Sequence, residues 1–356
     1  MSETIEVRGE PSALRVALVG CGNVARKHVA ALRALGDELE VVGAVDPDGE
    51  ARRETAQALQ TAEFEDLKTL LATEPVDLVS LATPTGLHPE QAVEAAEAGA
   101  DVLTEKPLGT SLEHARQMVG RLDELQRRLF VVKQLRHHPL FDAVRRAVQQ
   151  GRFGRIYTVG MQIFWTRPQA YYDSSAWRGT RRFDGGALMN QASHYVDLMD
   201  WLFGPVARVH AIGGALGRAI EVEDTAVVSL SWTEGFVGSL HVTMLTYPKN
   251  IATNLTVIGE QGTVRLGGMA CEEVEVWEFA DTRPVDQQLS ELSSQVFPAL
   301  RCGHRSVYQG VAATLRGEAG AVVSGRDGLR SLAIIDAAYR ALNQGTTATV
   351  TPVEFA

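Results

Sequence analysis

The stretch from Leu14 to Asp46, LRVALVGCGNVARKHVAALRALGDELEVVGAVD, restricts the fold more than any other part of the chain. Arg15 to Val19 is a β-branched and apolar run. Gly20-Cys21-Gly22-Asn23-Val24-Ala25 is a glycine turn of the G-x-G-x-x-A type, and Arg26 to Leu35 carries helical periodicity. A second apolar run, Glu40 to Val45, stops at Asp46, the expected tip of the next strand. Gly20 permits the sharp turn, Gly22 lets a pyrophosphate approach the backbone, and Ala25 keeps the helix close to the sheet, so that its unpaired N–H groups can hold phosphates. An acid at position 46 bonds a ribose 2′-hydroxyl and repels a 2′-phosphate. A glycine turn also joins strand to helix in α/β proteins that bind nothing. Here the preceding strand, the following helix and the spaced acid together predict a dinucleotide site that prefers NAD to NADP.

The alternation continues with helices over Glu50 to Leu59 and Leu67 to Leu71, then the continuously apolar strand Val76 to Leu81, which suits a parallel strand covered on both faces. That strand ends in Ala82-Thr83-Pro84-Thr85-Gly86-Leu87-His88. Helix Pro89 to Ala98 and strand Asp101 to Thr104 follow, the latter ending in Glu105-Lys106-Pro107, and helix Ser111 to Arg127 and strand Phe130 to Val132 close a first domain over residues 13–135. Beyond residue 150 strand-like runs succeed one another without helices between them: Ile156 to Trp165, Val206 to Gly213, Thr225 to Trp232, Val237 to Leu245, Thr253 to Ile258, Thr263 to Leu266 and Val274 to Phe279. That pattern predicts an antiparallel sheet, with helices Leu188 to Phe203, Ser306 to Arg316 and Gly328 to Asn343 covering one face. The expected architecture is α/β, a Rossmann dinucleotide-binding domain followed by an α+β domain over residues 136–356 that serves substrate binding and oligomerisation. Asp281 to Arg301 shows no period and reads as a loop.

Composition removes several classes of function. The 356 residues carry a net charge of −10, which argues against a nucleic-acid surface, and no apolar run approaches the ~18 residues of a membrane span. The opening MSETIEVRGEPSA is polar and acidic, so it reads as a short leader rather than a signal peptide, and a cytoplasmic location is expected. Cys21, Cys271 and Cys302 are odd in number and far apart, which favours ordinary thiols. His137-His138 and Cys302-Gly303-His304 lack closed-site spacing, and no metal is expected.

Three groups of residues can carry chemistry. Lys106 sits at the carboxyl end of a parallel strand, the edge at which open α/β sheets bind ligands. In the helix after Gly185-Gly186, Leu188, Ala192, Tyr195, Met199 and Leu202 form a packing stripe, while Asn190, His194, Asp197 and Trp201 form a second stripe on another face. A lone histidine there would read as a satisfied core residue; Asn190, four positions earlier, makes a hydrogen-bonding pair with it. Residues 165–183, WTRPQAYYDSSAWRGTRRF, set Arg167, Arg178, Arg181 and Arg182 among Trp165, Tyr171, Tyr172 and Trp177. This local reversal of charge suits phosphate or carboxylate recognition, or equally a surface loop with its arginines in solvent.

The glycine turn, Glu105-Lys106-Pro107 and the Gly-Gly followed by His194 and Asp197 resemble the glucose-fructose oxidoreductase, inositol dehydrogenase and rhizopine-catabolism family over nearly the whole chain. The resemblance implies a Rossmann domain, an antiparallel α/β domain, Lys106 and His194 as the catalytic pair, and a homodimer or homotetramer. The family usually has Asp four residues before the histidine, where this chain has Asn190. Longer blocks, among them VVKQLRHHP, FWTRPQAYYDSSAWRGT and GGALMNQASHYVDLMDWLFGPV, are similar to a branch that oxidises C3 of UDP-N-acetyl-2-amino-2-deoxyglucuronate with NAD in bacterial surface-polysaccharide (O-antigen) synthesis. Carried onto this sequence, the resemblance puts Gly20, Gly22, Asn23, Val24, Asp46, Thr83, His88, Glu105, Lys106, Gln134, Trp177 and Arg178 on the cofactor. It puts Lys106, Arg136, Trp165, Arg167, Tyr172, Asn190, Ser193 and His194 on the UDP-linked uronic acid, with Asn190 joining the catalytic pair. Lys106 and His194 are both plausible bases, and Lys106 is the one expected to take the proton. Other sugar or polyol dehydrogenases, an NAD-using glycosidase, and a non-enzymatic NAD-binding protein are the alternatives.

Overall fold

A computed structural model of the chain describes residues 13–284, 286–289 and 303–353. Six strands, β1 (Leu14–Val19), β2 (Leu39–Val45), β3 (Ala62–Phe64), β4 (Leu78–Leu81), β5 (Asp101–Thr104) and β6 (Leu129–Val131), form an all-parallel sheet in the order β3-β2-β1-β4-β5-β6. Helices α1 (Ala25–Arg33), α2 (Gly49–Leu59), α3 (Leu67–Thr73), α4 (His88–Glu97) and α5 (Leu112–Glu124) make the crossovers. All four residues of β4 and of β5 are buried, as expected for strands covered on both faces. The order reverses between β1 and β4, so the carboxyl ends of β1, β2, β4 and β5 open on one crevice, the place where such sheets bind ligands.

After α6 (Pro139–Gln149), the strands β7 (Ile156–Phe164), β8 (Val206–Gly214), β9 (Thr225–Trp232), β10 (Val237–Thr243), β11 (Ala252–Gly259), β12 (Gly262–Gly267), β13 (Glu273–Phe279) and β14 (Ala348–Thr349) build a second sheet. Its order is β13-β12-β11-β7-β10-β9-β8-β14, antiparallel except between β7 and β10. Residues 226, 228, 230 and 232 of β9 are buried under α8 (Ser193–Phe203) and α10 (Gly325–Gln344), while the alternate residues face outward. The Rossmann domain followed by a mostly antiparallel α/β domain is the architecture the sequence predicts.

Three features depart from that reading. Helix α6 is not anticipated, although Pro139 at its start and buried Leu140, Phe141, Val144 and Ala147 mark it. The helix expected over 188–203 is two elements, a π-turn (Ala187–Gln191) and α8. Finally, α9 (His304–Leu315) packs not on the second sheet but on the first, where Val307, Tyr308 and Val311 share a core with Val16, Leu18 and Phe130. A cut at residue 136 therefore separates the two sheets but not the packing. Residues 284 and 286–289 are helical rather than loop, while residue 285, residues 290–301 of the expected loop, Cys302 and residues 1–12 of the polar leader lie outside the described residues. Cys21 and Cys271 are free and buried.

Candidate active site

Gly20 sits at φ +93°, and a Cβ there would lie 2.6 Å from the Ala82 carbonyl carbon, so only glycine lets β1 turn beneath the β4 loop. A Cβ on Gly22 would meet nothing within 4 Å, and no side chain caps α1 at Val24. Open space and free N–H groups thus coincide. Asp46 is held beside the turn: its Oδ2 accepts from the Cys21 N–H at 2.8 Å and its Oδ1 from the Asp48 N–H at 2.9 Å. This arrangement fits the diphosphate and ribose of a dinucleotide.

The turn leads into a cleft of about 540 Å³ between the two sheets. Asn23, Val24, Thr83, Glu105, Lys106 and Gln134 line it from the first domain; Trp165, Arg167, Trp177, Arg178, Asn190 and His194 line it from the second. Lys106 Nζ donates to the Asn190 carbonyl at 3.0 Å. Burial lowers its pKa, against the opposing pull of Glu105 and Asp184 and with help from Lys27. Glu105 is buried; desolvation would raise its pKa, but Nε2 of His304 at 2.7 Å and of His28 at 3.2 Å, both on Oε1, hold it well below the ordinary value. His28 Nδ1 continues to the Tyr308 hydroxyl, which bonds Ser80 at 2.6 Å, so a buried polar network ties α1, β4 and α9 to the residue beside Lys106.

His194 lies against Gln134, Nε2 to Nε2 at 3.1 Å. A side-chain amide nitrogen can only donate, so His194 Nε2 is the acceptor and the proton sits on Nδ1. Burial, with Lys106 and Lys133 nearby, pushes its pKa well below the usual value, which agrees with a neutral ring. Its Nδ1 finds no partner, and neither do Gln134 Oε1 and Arg178 Nε. Three buried polar atoms of one cleft thus await hydrogen bonds that the protein itself does not supply.

At the outer end of the cleft, Tyr171 stands between two guanidiniums, with Arg167 Cζ 5.4 Å and Arg178 Cζ 4.3 Å from its ring; Arg167 also covers Trp165 and Arg178 covers Trp177. Stacked, planar donors of this kind are preorganised for carboxylate or phosphate oxygens.

The family sequence model described as an oxidoreductase family NAD-binding Rossmann fold matches residues 14–133, and the one described as the oxidoreductase family C-terminal alpha/beta domain matches residues 145–351. The chain belongs to the glucose-fructose oxidoreductase, inositol dehydrogenase and MocA oxidoreductase family. Among solved structures it is similar to the WlbA dehydrogenase from Chromobacterium violaceum in complex with NADH and UDP-GlcNAcA, at 44% identity over 97% of this chain and 98% of that one, with a TM-score of 0.92. The WlbA dehydrogenase from Bordetella pertussis, also solved with NADH and UDP-GlcNAcA, is 44% identical over 96% of this chain and 99% of that chain, with a TM-score of 0.91. A D-apiose dehydrogenase from Paraburkholderia graminis is 28% identical, covering 95% of this chain and 90% of that protein.

As a member of this oxidoreductase family the chain is an NAD-dependent enzyme, and Asp46 gives the cofactor preference a test. Asp46→Ser is expected to weaken NADH binding by roughly one decade, the scale of one hydrogen bond to a charged group, and to strengthen NADPH binding. Titration of both cofactors decides it; wild type binding NADPH as tightly as NADH would remove Asp46 from the ribose.

Several family-derived positions need correction. Arg136 does not reach the cleft: its Nε and Nη2 grip both oxygens of Asp197 at 2.8 and 2.9 Å, and it lines a separate hollow with Arg145 and Trp201. Tyr172 is buried, and Tyr171, its neighbour on the short helix α7 (Gln169–Asp173), lines the cleft instead. Ser193 is buried and donates to the Asn190 carbonyl. His88 is buried, with Nδ1 2.8 Å from the Pro107 carbonyl and Nε2 3.0 Å from that of Thr83, so it lies between two strand-end loops and does not line the cleft. Arg181 is spent on Glu221 and Arg182 covers Phe183.

The second stripe is not a free face either. The π-turn shifts Asn190 relative to α8, Asp197 is buried in an ion cluster and Trp201 lies under Arg145, so of that stripe Asn190 and His194 line the cleft while Asp197 and Trp201 do not. Asn190 does not pair with His194; its amide is held by Asp184. Lys27, Thr85, Tyr171, Gln191, Tyr195 and His304 line the cleft without having been assigned to a ligand from sequence. Lys27 was legible in principle, in the first turn after the glycines. His304 was not, because α9 returns to the first domain from far along the chain. Ligand atoms of His28, Glu105 and His304 lie within 4.8 Å of one another, close enough for a cation, although here both imidazoles bond the carboxylate directly.

Proposed function

We propose that this enzyme oxidises the C3 hydroxyl of UDP-N-acetyl-2-amino-2-deoxy-D-glucuronate to the 3-keto sugar. The observation that carries the reading is the Arg167–Tyr171–Arg178 stack in the same cleft as Lys106 and His194, a cationic recognition site together with two side chains able to handle a proton. The two WlbA dehydrogenases, solved with NADH and UDP-GlcNAcA at 44% identity, support it. Bound NAD supplies the hydride acceptor. Lys106, favoured in its neutral form by burial, uses one N–H on the Asn190 carbonyl and keeps its lone pair for the hydroxyl proton. His194, with Nε2 occupied by Gln134, offers Nδ1–H to a sugar oxygen and so positions rather than deprotonates. Arg167 and Arg178 hold the carboxylate and diphosphate.

On the resemblance of the sequence blocks, the reading extends to a cytoplasmic enzyme of bacterial surface-polysaccharide (O-antigen) synthesis that works as a homodimer or homotetramer. Exposed Ile212, Val227, Val237 and Ile258 on the outer face of the second sheet support self-association. No helix among the described residues is long and apolar enough to cross a membrane.

The carboxylate is the testable part. An arginine contact to a charged group contributes about 1.5 to 3 kcal/mol, so UDP-N-acetylglucosamine, which lacks the carboxylate, is expected to react with kcat/KM about one to two decades lower. Arg178→Gln should narrow that ratio. Equal efficiency on the two sugars would remove the carboxylate from the site.

A further inference from the structure

We infer that Asp184 is a positioning residue that fixes the polarity of the Asn190 amide, so that Asn190 presents its Oδ1 to the cleft, and that it supplies from behind the negative charge that the family usually carries at position 190. Asp184 lies in the turn before the Gly185-Gly186 pair and is 1% exposed. Its Oδ2 accepts from the Gly179 N–H at 2.7 Å, and its Oδ1 accepts from Asn190 Nδ2. A carboxylate only accepts, so the end of the amide facing it must be the NH₂. The remaining end, an acceptor, is turned away from Asp184, and Asn190 is part of the cleft lining. A bare asparagine could turn either end to the substrate; with Asp184 behind it, it offers only an acceptor, matched to a sugar hydroxyl or N-acetyl N–H.

The carboxylate also acts on Lys106, whose pKa it pulls upward against burial. The groups that face Lys106 are Glu105 on its own strand end, Lys27 from α1, His88 at the start of α4, Lys133 after β6, His194 from α8 and Asp184. Of these only Glu105 and Asp184 are acids. Glu105 is engaged by two histidines, which leaves Asp184 as the acid across the cleft.

The inference rests on Lys106 being the base of the proposed reaction, and a charge exchange tests it. In Asp184→Asn, the new side chain can still accept from Gly179 and then turns its NH₂ toward residue 190, which must flip and aim a donor at the substrate. The expected result is a loss in kcat/KM for the sugar of about 10- to 100-fold, the scale of a mismatched buried hydrogen bond. NAD affinity should stay normal, and the acid limb of the pH profile should move to lower pH, because Lys106 has lost a charge that favoured its protonated form. Adding Asn190→Asp restores an acceptor in the cleft and the charge beside Lys106, and is expected to return kcat/KM to within about threefold of wild type, since neighbouring changes do not add.

Acylation of Lys106 by acetic anhydride across pH, followed by peptide mass, reads the lysine without any substrate. Its midpoint should fall in Asp184→Asn and recover in the double variant. That result would stand even if wild type proved inert on the UDP-linked uronate, which would sink the proposed function alone. An unchanged Asp184→Asn, or a slow one that Asn190→Asp does not rescue, overturns the inference. If Asp184→Asn does not fold, Asn190→Asp alone decides. Two touching carboxylates must share a proton, so its activity should drop increasingly as pH rises, and wild-type behaviour would be the contrary result.

Discussion

Replacing Lys106 with methionine is expected to cut the single-turnover rate of sugar oxidation by about two to four decades, the contribution of a general base, while leaving NAD affinity unchanged. Methionine keeps the unbranched apolar stem and removes the terminal nitrogen that bonds the Asn190 carbonyl and takes the proton. His194→Asn is expected to lose less. Its ring is neutral, its Nε2 is occupied by Gln134, and its free Nδ1 carries a hydrogen, so it can orient an oxygen but cannot take a proton without first giving one up. Single-turnover rates and NAD titrations on both variants separate the roles. Near-normal rates in Lys106→Met with none in His194→Asn would exchange them.

The second large effect concerns stability. Asp197 is buried, with Arg136 on both oxygens and Lys133 Nζ 3.4 Å from Oδ1, and Lys133 itself is only 2% exposed. Desolvation would raise the pKa of Asp197, yet the two cations hold it below the ordinary carboxylate value. Asp197→Ala leaves both cations in the interior without a counter-charge, which costs about 3 to 5 kcal/mol, and a fall in melting temperature on the order of 10 °C is expected. The depressed pKa also gives the wild type an acid dependence. The stability this carboxylate contributes is present above its unfolded pKa and is lost as pH falls through the folded one, so the gap between wild type and Asp197→Ala should narrow in acid. Melting curves at neutral and acid pH measure both. A variant within a degree or two of wild type at neutral pH would mean that Arg136 and Lys133 find other partners.

The placement of the glycine turn and of Asp46 beside it was legible because its determinants are local. Gly20, Gly22 and Asp46 act through a turn and two strand tips within one βαβ unit, where spacing in sequence is spacing in space. Lys106 was legible for the same reason, from its place at a strand end. The substrate half was read less well because it depends on geometry that periodicity does not encode. A helical stripe places Asn190, His194 and Asp197 together only if the helix is regular, and the π-turn over Ala187–Gln191 breaks that register. Arg136 looked like a substrate ligand until its guanidinium was found gripping Asp197, a partner 61 residues away. Tyr171 and Tyr172 are adjacent in sequence and their rings lie 5.1 Å apart, yet Tyr171 lines the cleft while Tyr172 is buried. His304 and Tyr308 come from a helix that crosses back to the first domain, a contact no local pattern announces.

If this cleft oxidises a UDP-linked N-acetylated uronic acid, the product is a ketone two hydrogens lighter than the substrate. Mass spectrometry of UDP-N-acetyl-2-amino-2-deoxy-D-glucuronate incubated with the enzyme and NAD⁺ tests it most directly. The expected result is that lighter product, formed in step with NADH and absent with Lys106→Met. A sugar recovered unchanged from an enzyme shown by titration to bind NAD would contradict it.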